Sequence, residues 1–166
     1  MKPQEFAAVY RILEQSFPTD EYRPFAEQQA LFKDERYIVY VLRDEQDAVC
    51  GLLAMWEFPA FDFLEHFAML PALRGKGYGA WMLREILRER GRPACLEVEP
   101  PTDDITRRRI AFYERSGLYF TDFPYVQPPI SKGKQPVPLH IMATKPLSRE
   151  AFEEIKAVLY REVYHV

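Results

Sequence analysis

A glycine-rich segment between a predicted strand and a predicted helix constrains this chain more than any other feature of its sequence. Gly75, Gly77 and Gly79 fall at alternate positions of the segment 74–80, directly before the helix begins. Glycine adopts backbone conformations closed to other residues and lets a ligand approach the main chain. The first turn of the helix offers unpaired N–H groups and the positive end of the helix dipole, which suit a phosphate or pyrophosphate. Arg74 and Lys76 add positive charge, so the segment predicts an anion-binding loop.

The letters of this segment do not by themselves identify the phosphate ligand. A P-loop is excluded because no Gly-Lys-Ser/Thr is present. Residues 75–80 do read as G-x-G-x-x-A, and Glu97 and Glu99 follow about twenty residues later, as in dinucleotide-binding folds. Against that interpretation, residues 71–74 separate the strand from the first glycine, and the chain after Glu99 has no room for further βαβ units. Dinucleotide binding therefore stays as an alternative.

Hydrophobic periodicity predicts a mixed α/β chain with one central, mostly antiparallel sheet. Apolar residues at helical spacing, together with caps and breakers, predict helices over residues 5–14, 24–32, 78–90, 103–116 and 149–163. Runs rich in β-branched and aromatic residues predict strands over residues 37–42, 48–56, 61–70, 94–99, 118–126 and 139–144. The first three strands are expected to form an antiparallel meander before the glycine-rich segment.

Composition narrows the class of protein further. A chain of 166 residues suits one domain, and a net charge of −3 argues against a nucleic-acid-binding surface. The longest apolar run, residues 48–56, is too short to cross a membrane, and no secretory signal precedes it. Cys50 and Cys95 lie in apolar strand-like runs and are expected to be buried reduced thiols, which predicts a cytoplasmic protein without a metal site.

Two blocks of the sequence resemble a known family. Arg74, Gly77 and Gly79 match the coenzyme A signature of GNAT acyltransferases, Arg/Gln-x-x-Gly-x-Gly/Ala. Residues 111–118 resemble the Phe-Tyr-x-x-x-Gly-Phe block of that family, and the order of predicted elements agrees from the first helix to the last strand. Thr106 and Arg109 depart from the pattern, because many members carry Asn and Ala at these positions. The helix after residue 147 is an addition.

The resemblance implies a single GNAT-like domain over residues 1–166, with a twisted sheet flanked by helices and an extra C-terminal helix. It implies an N-acetyltransferase that moves an acetyl group from acetyl-CoA to a primary amine of a small molecule or peptide, with no metal. The coenzyme would contact Phe67, Ala68, Met69, Arg74, Gly75, Lys76, Gly77, Tyr78, Gly79 and Ala80. A non-catalytic coenzyme A-binding regulatory protein on the same fold remains the alternative.

Acyl transfer to an amine needs a base for the ammonium proton and an acid for the departing thiolate. Glu65 is the predicted base, because strand alternation places it on one face with Phe67 and Met69. His66 is a rival expected on the opposite face, and neither residue need be the base. By resemblance, Tyr113 is the general acid, although a half-buried aromatic residue would look the same in sequence. A backbone N–H of residues 67–70 is expected to meet the oxyanion.

The acceptor side is less defined. Acidic residues recur near the expected acceptor side, where they predict electrostatic steering of a cationic amine, although solvated surface carboxylates are equally usual. These residues are Asp20, Glu21, Asp62, Glu65, Glu97 and Glu99. Residues 127–138 are expected either to cover the acceptor cleft or to form an ordinary connection. The C-terminal helix is expected to pack on its own sheet, in a monomer or homodimer that binds neither nucleic acid nor membrane.

Overall fold

Strand pairing in the first part of the chain is antiparallel and follows sequence order. The computed structural model describes residues 1–166, which divide into two compact units, Met1–Ala94 and Cys95–Val166. In the first unit, β1 (Tyr37–Arg43) pairs with β2 (Val49–Glu57), and β2 pairs with β3 (Asp62–Met69). These are the three strands of the predicted meander.

The helices of the first unit follow the apolar periodicity of the sequence. They are α1 (Phe6–Ser16), α2 (Phe25–Ala30) and α3 (Tyr78–Arg90), with single 3-10 turns at Pro3–Glu5, Thr19–Glu21, Leu31–Lys33 and Pro71–Leu73. Helix α1 packs against β2 and β3, because Phe6, Val9 and Leu13 recur at helical spacing and are buried on one face.

Strand β3 contains one residue more than its partner strand. Ala54 lies opposite His66, whereas the next residue, Met55, lies opposite Leu64, so Glu65 has no partner on β2. Such a β-bulge bends the strand and changes the direction of its side chains. The bulge therefore alters the simple alternation expected along β3 at the residue predicted to be the base.

An ion pair fixes the far end of α3 to the beginning of β3. Arg90 donates from Nε to Asp62 Oδ2 over 2.7 Å and from Nη2 to Oδ1 over 3.0 Å. The Asp62 side chain is 1% exposed, and a bidentate guanidinium–carboxylate pair holds both position and orientation. Gly91, with φ of 60°, ends the helix in the left-handed region.

The second unit is built around one long strand. It contains β4 (Ala94–Val98, which begins at the end of the first unit), α4 (Asp104–Arg115), β5 (Tyr119–Phe120), β6 (Tyr125–Gln127), β7 (Val137–Ala143) and α5 (Arg149–Glu162). Strand β7 pairs antiparallel with β4, β5 and β6. Asp103 caps α4 and accepts a hydrogen bond from the backbone N–H of Thr106.

Most predicted elements are confirmed, including the mixed α/β class with antiparallel strands. The prediction of one strand over residues 118–126 is wrong: the chain forms the two short strands β5 and β6, and Pro124, which lacks a ladder donor, lies in the interruption. Cys50 and Cys95 are buried free thiols, as expected. No helix is both long and apolar enough to cross a membrane. The single domain over residues 1–166 stays a prediction.

The C-terminal helix packs on its own unit. Phe152 and Leu159 of α5 are buried. Just beyond the helix, the Tyr164 hydroxyl donates to Glu97 of β4 at 2.7 Å from Oε2. The expectation that this helix packs on its own sheet is therefore confirmed within the second unit.

We expect Leu159→Ala to lower the free energy of unfolding by about 2–5 kcal/mol, because it removes a fully buried side chain and leaves a cavity. Urea denaturation measures the loss. Glu154→Ala, an exposed position on the same helix, is the control and should change stability little. Equal effects from the two variants would contradict the packing of α5 described above.

Candidate active site

The glycine-rich loop has the backbone conformation that its sequence predicted. Gly75 and Gly77 have φ values of 74° and 85°, in the left-handed region that favours glycine. A Cβ atom added at either residue would meet no atom within 4 Å. Backbone geometry, and not crowding, therefore requires glycine at both positions, and the space beside the loop is open to a ligand.

Helix α3 begins at this loop without a side-chain cap. Gly77 is the N-cap residue, and the first hydrogen bond of the helix runs from Trp81 N–H to the Gly77 carbonyl at 3.0 Å. The N–H groups of Tyr78, Gly79 and Ala80 precede that bond. Together with the helix dipole, they make the start of α3 suitable for a phosphate group.

Arg74 anchors the loop. Its Nε donates to the Met69 carbonyl at 3.0 Å, and its Nη2 lies 3.4 Å from Ser16 Oγ at the end of α1. Arg74 and Lys76 are both exposed, and Arg74 also ties the loop to β3 and α1.

The end of β3 lies beside the start of α3. A Cβ atom at Gly79 would lie 3.5 Å from Phe67 Cζ and 3.7 Å from Met69 Cγ. Ala68, between these two residues, is buried. The structure therefore brings the predicted coenzyme-binding residues of β3 and of the glycine-rich loop together in one continuous segment.

Glu65 lies at the bulge of β3 with its side chain 2% exposed. Arg23 Nη1 donates to Glu65 Oε1 at 2.8 Å, and Trp56 Nε1 donates to the same oxygen at 3.2 Å. Burial raises the pKa of Glu65, but the charge and hydrogen bond of Arg23, together with the contact to His66, outweigh burial and hold this pKa well below its usual range. In this conformation Glu65 is an ionised counter-ion and a weak base.

His66 and Glu65 meet, although neighbours in a regular strand point to opposite faces. His66 Nδ1 lies 3.3 Å from Glu65 Oε2, and neither atom makes a hydrogen bond. The other ring nitrogen, Nε2, lies 2.8 Å from the Glu21 carbonyl and donates to it. The expectation that His66 points away from Glu65 is therefore wrong, and the bulge is the reason.

Sequence reasoning missed the residues that surround Glu65. Arg23 comes from the segment between α1 and α2, while Tyr37 and Trp56 come from β1 and β2. Burial and the nearby Glu65 charge raise the pKa of Tyr37 well above its usual value. Gln28 Nε2 donates to the Tyr37 hydroxyl at 2.7 Å. One feature of the sequence could have indicated Arg23: aromatic and charged residues cluster between Pro18 and Pro24.

In the second unit, Tyr113 lies on α4 with a buried side chain. Burial raises the pKa of Tyr113 to about 12, so the phenol keeps its proton at neutral pH. The two positions that depart from the family pattern have structural partners: Thr106 completes the capping box of α4, and Arg109 pairs with Glu99.

Two other predicted acidic residues have partners within their own units. Asp62 binds Arg90. Glu97 accepts hydrogen bonds from the hydroxyls of Tyr125 and Tyr164. Residues 127–138 connect the antiparallel strands β6 and β7, so their role as a cover for the acceptor stays a prediction.

Comparison with known proteins gives a consistent result. The model of the acetyltransferase (GNAT) family matches residues 6–118, which is more than half of the chain. A solved structure from Bacteroides thetaiotaomicron, assigned to the same family, is 33% identical; the match covers 98% of this chain and 93% of that one, with a TM-score of 0.89. No curated protein sequence matches significantly.

Two more distant solved structures share the fold. A variant of the spermidine N-acetyltransferase SpeG of Vibrio cholerae is 16% identical, with 86% of this chain and 90% of that chain covered and a TM-score of 0.64. The ribosomal-protein-S18-alanine N-acetyltransferase of Escherichia coli is 19% identical, with coverages of 90% and 94% and a TM-score of 0.62.

We expect Glu65→Gln to lower the free energy of unfolding by about 3–5 kcal/mol, because it leaves the buried Arg23 charge uncompensated. Urea denaturation measures this. Adding Arg23→Met should recover much of the loss, since it removes the unpaired charge. Glu85→Gln, which breaks the exposed pair with Arg88, is the control and should cost about 1 kcal/mol or less. Similar losses from Glu65→Gln and Glu85→Gln would argue against a buried pair.

Proposed function

The chain belongs to the GNAT family of acetyltransferases, and we propose that it transfers the acetyl group of acetyl-CoA to a primary amine of a small molecule or peptide. The main observation behind the proposal is the geometry at the start of α3. The helix has no side-chain cap, two glycines in the left-handed conformation precede or begin it, and its first turn lies beside the end of β3. This arrangement suits the pyrophosphate of the coenzyme. The distant structural neighbours named for spermidine and for a protein alanine as substrates agree with an amine acceptor.

In this proposal the loop residues bind the coenzyme through main-chain groups. The N–H groups of Tyr78, Gly79 and Ala80 face the phosphates, and exposed Lys76 adds a charge. Arg74 acts indirectly by fixing the loop to the Met69 carbonyl. The acyl end lies along Phe67, Ala68 and Met69, where a backbone N–H stabilises the oxyanion.

The reaction needs two proton transfers. The amine loses a proton, its nitrogen bonds to the thioester carbonyl carbon, and the C–S bond breaks as the thiolate takes up a proton. We assign Glu65 as the base. Tyr113 is the acid, since its pKa of about 12 keeps the phenol protonated. Cys50 and Cys95 are free thiols in the core, which favours the reducing cytoplasm as the compartment. No metal takes part in this scheme.

A second candidate function is coenzyme binding without catalysis. The ion pair between Glu65 and Arg23 favours it, because it occupies the predicted base. Acetyl transfer distinguishes the two functions. A protein that binds acetyl-CoA yet acetylates neither spermidine nor a peptide with an N-terminal alanine, nor any other member of a broad amine panel, would have the non-catalytic function.

We expect acetyl-CoA and coenzyme A, but not NADH, to raise the melting temperature saturably, because a ligand that binds only the folded state stabilises it. Gly77→Glu should abolish the rise, since it places a side chain and a negative charge at the anion site. Thermal-shift titration is the measurement.

Gly133→Glu is the matched control for this substitution. Gly133 has the same φ of 85° and the same open surroundings, but lies between β6 and β7. It should retain the acetyl-CoA response. A response lost in both variants, or kept in both, would remove the support for the loop as coenzyme site.

We expect Tyr113→Phe to lower kcat about a hundredfold or more, within the range that general acids contribute, while the acetyl-CoA-induced rise in melting temperature is unchanged. The loss arises because the departing thiolate no longer has its proton donor. Steady-state kinetics gives the rate. Phe112→Leu, at the neighbouring position on α4, is the control and should keep its kcat. A Tyr113→Phe variant with full kcat would contradict the assignment of Tyr113 as the acid.

A further inference from the structure

The proposed base is closed off by a cation from its own chain. The guanidinium of Arg23 occupies Glu65 Oε1, and the two side chains are 6% and 2% exposed. A base that accepts a proton from an acceptor amine must be reached by that amine. The closed conformation therefore holds a cation at the oxygen that an alkylammonium group would contact.

We propose that residues 17–24 form a displaceable cover over Glu65, and that a cationic acceptor binds by replacing the Arg23 guanidinium at Glu65 Oε1. The inference rests on the proposed function, since it treats Glu65 as the base. It makes Arg23 a gating and specificity-determining residue, and it requires an acceptor that carries a positive charge when it arrives.

The surroundings of Glu65 Oε1 suit a cation other than Arg23. Trp56 Nε1 donates to the same oxygen and stays in place when Arg23 leaves, because it belongs to β2. The rings of Trp56 and Tyr37 lie 5.0 Å apart beside the carboxylate. Aromatic faces and a fixed carboxylate together attract an alkylammonium group. An unpaired buried charge would be strongly destabilising, and exchange of one cation for another avoids it because Glu65 stays paired.

The cover lies between regular elements of the first unit and packs on them, with the ring of Phe17 4.9 Å from that of His66 and the ring of Tyr22 5.9 Å from that of Tyr10. Residues 17–24 lie between the end of α1 and the start of α2, with Pro18 and Pro24 near the two ends and a single 3-10 turn at Thr19–Glu21. Two contacts that hold it are side-chain to main-chain: His66 Nε2 with the Glu21 carbonyl, and the Tyr10 hydroxyl with the Arg23 carbonyl at 3.2 Å. The segment can therefore move without breaking a strand or α-helix.

Displacement would also change the chemistry of Glu65. Burial raises its pKa, and the charge of Arg23 is the principal influence that lowers it. When Arg23 leaves and the incoming ammonium gives up its proton, the largest influence that lowers the pKa of Glu65 is gone, and this pKa rises. Opening of the cover thus converts Glu65 from an inert counter-ion into a group able to accept that proton.

Arg23→Ala with methylguanidinium tests the proposal. The variant should bind methylguanidinium, seen as a rise in melting temperature. If the cover is open in about a tenth of wild-type molecules, the variant should have a KM about tenfold lower for spermidine or an N-terminal alanyl peptide, whichever the wild type acetylates. Methylguanidinium should inhibit the variant competitively with the amine and not with acetyl-CoA. Arg11→Ala, an exposed position on α1, is the control without these effects.

The opposite kinetic result would overturn the inference. If Arg23→Ala is slow and methylguanidinium restores its rate, Arg23 positions the catalytic groups and does not gate them. Failure of the proposed function looks different: wild-type protein would then give no acetyl transfer, or no acetyl-CoA-induced rise in melting temperature, whatever residue stands at position 23.

Hydrogen exchange on the wild-type protein tests the cover without turnover and without a variant that has to fold. Methylguanidinium competes with Arg23 for Glu65, so it should speed amide exchange in residues 17–24 and leave α3 unchanged. Tetramethylammonium has no N–H to donate to Glu65 Oε1 and is the control ion. Exchange in residues 17–24 that methylguanidinium leaves unaltered would contradict a displaceable cover.

Discussion

The buried charge of Glu65 is the constraint around which the first unit is organised. Removing a carboxylate from water costs several kcal/mol, and an ion pair offsets that cost only with good geometry and additional hydrogen bonds. Here three elements supply the compensation: the segment after α1 brings Arg23, β2 brings Trp56, and β1 brings Tyr37. An apolar residue at position 65 would need none of these partners. The chain therefore retains a costly group, which is more usual at a functional site than in a core built for stability.

A single strand sets the spacing between this carboxylate and the proposed coenzyme loop. Strand β3 carries Glu65 at its bulge and ends at Met69, whose carbonyl holds Arg74. The Asp62–Arg90 pair fixes α3 at its far end, and the first turn of α3 lies beside Phe67. Because backbone pairing and close packing fix both ends, rigid elements hold the proposed base and the proposed phosphate site, and a loop holds the proposed acceptor side. The backbone and side chains are thus positioned most firmly where the coenzyme is proposed to bind.

The parts of this arrangement that sequence predicted are local ones. Glycines in a left-handed turn, a cap on α4 and the apolar stripe of α1 each depend on residues within one or two turns, so their signals are visible along the chain. The Arg23–Glu65 pair joins residues 42 positions apart, and no periodicity encodes it. The bulge was invisible for another reason: an extra residue is defined only against the partner strand, so alternation continued through Glu65 and placed His66 on the wrong face.

A covered base, as proposed for Glu65, would solve a problem that acyl transfer from a thioester creates. A carboxylate with a raised pKa beside an activated acyl group would also act as a base for water, and part of the thioester would be lost to hydrolysis. The Arg23 charge keeps Glu65 weakly basic until another cation takes its place. Water carries no charge and competes with Arg23 for the carboxylate more weakly than an ammonium group does. Under the proposed gate, Glu65 therefore both selects a cationic acceptor and removes its proton, and binding of the acceptor comes before the proton transfer.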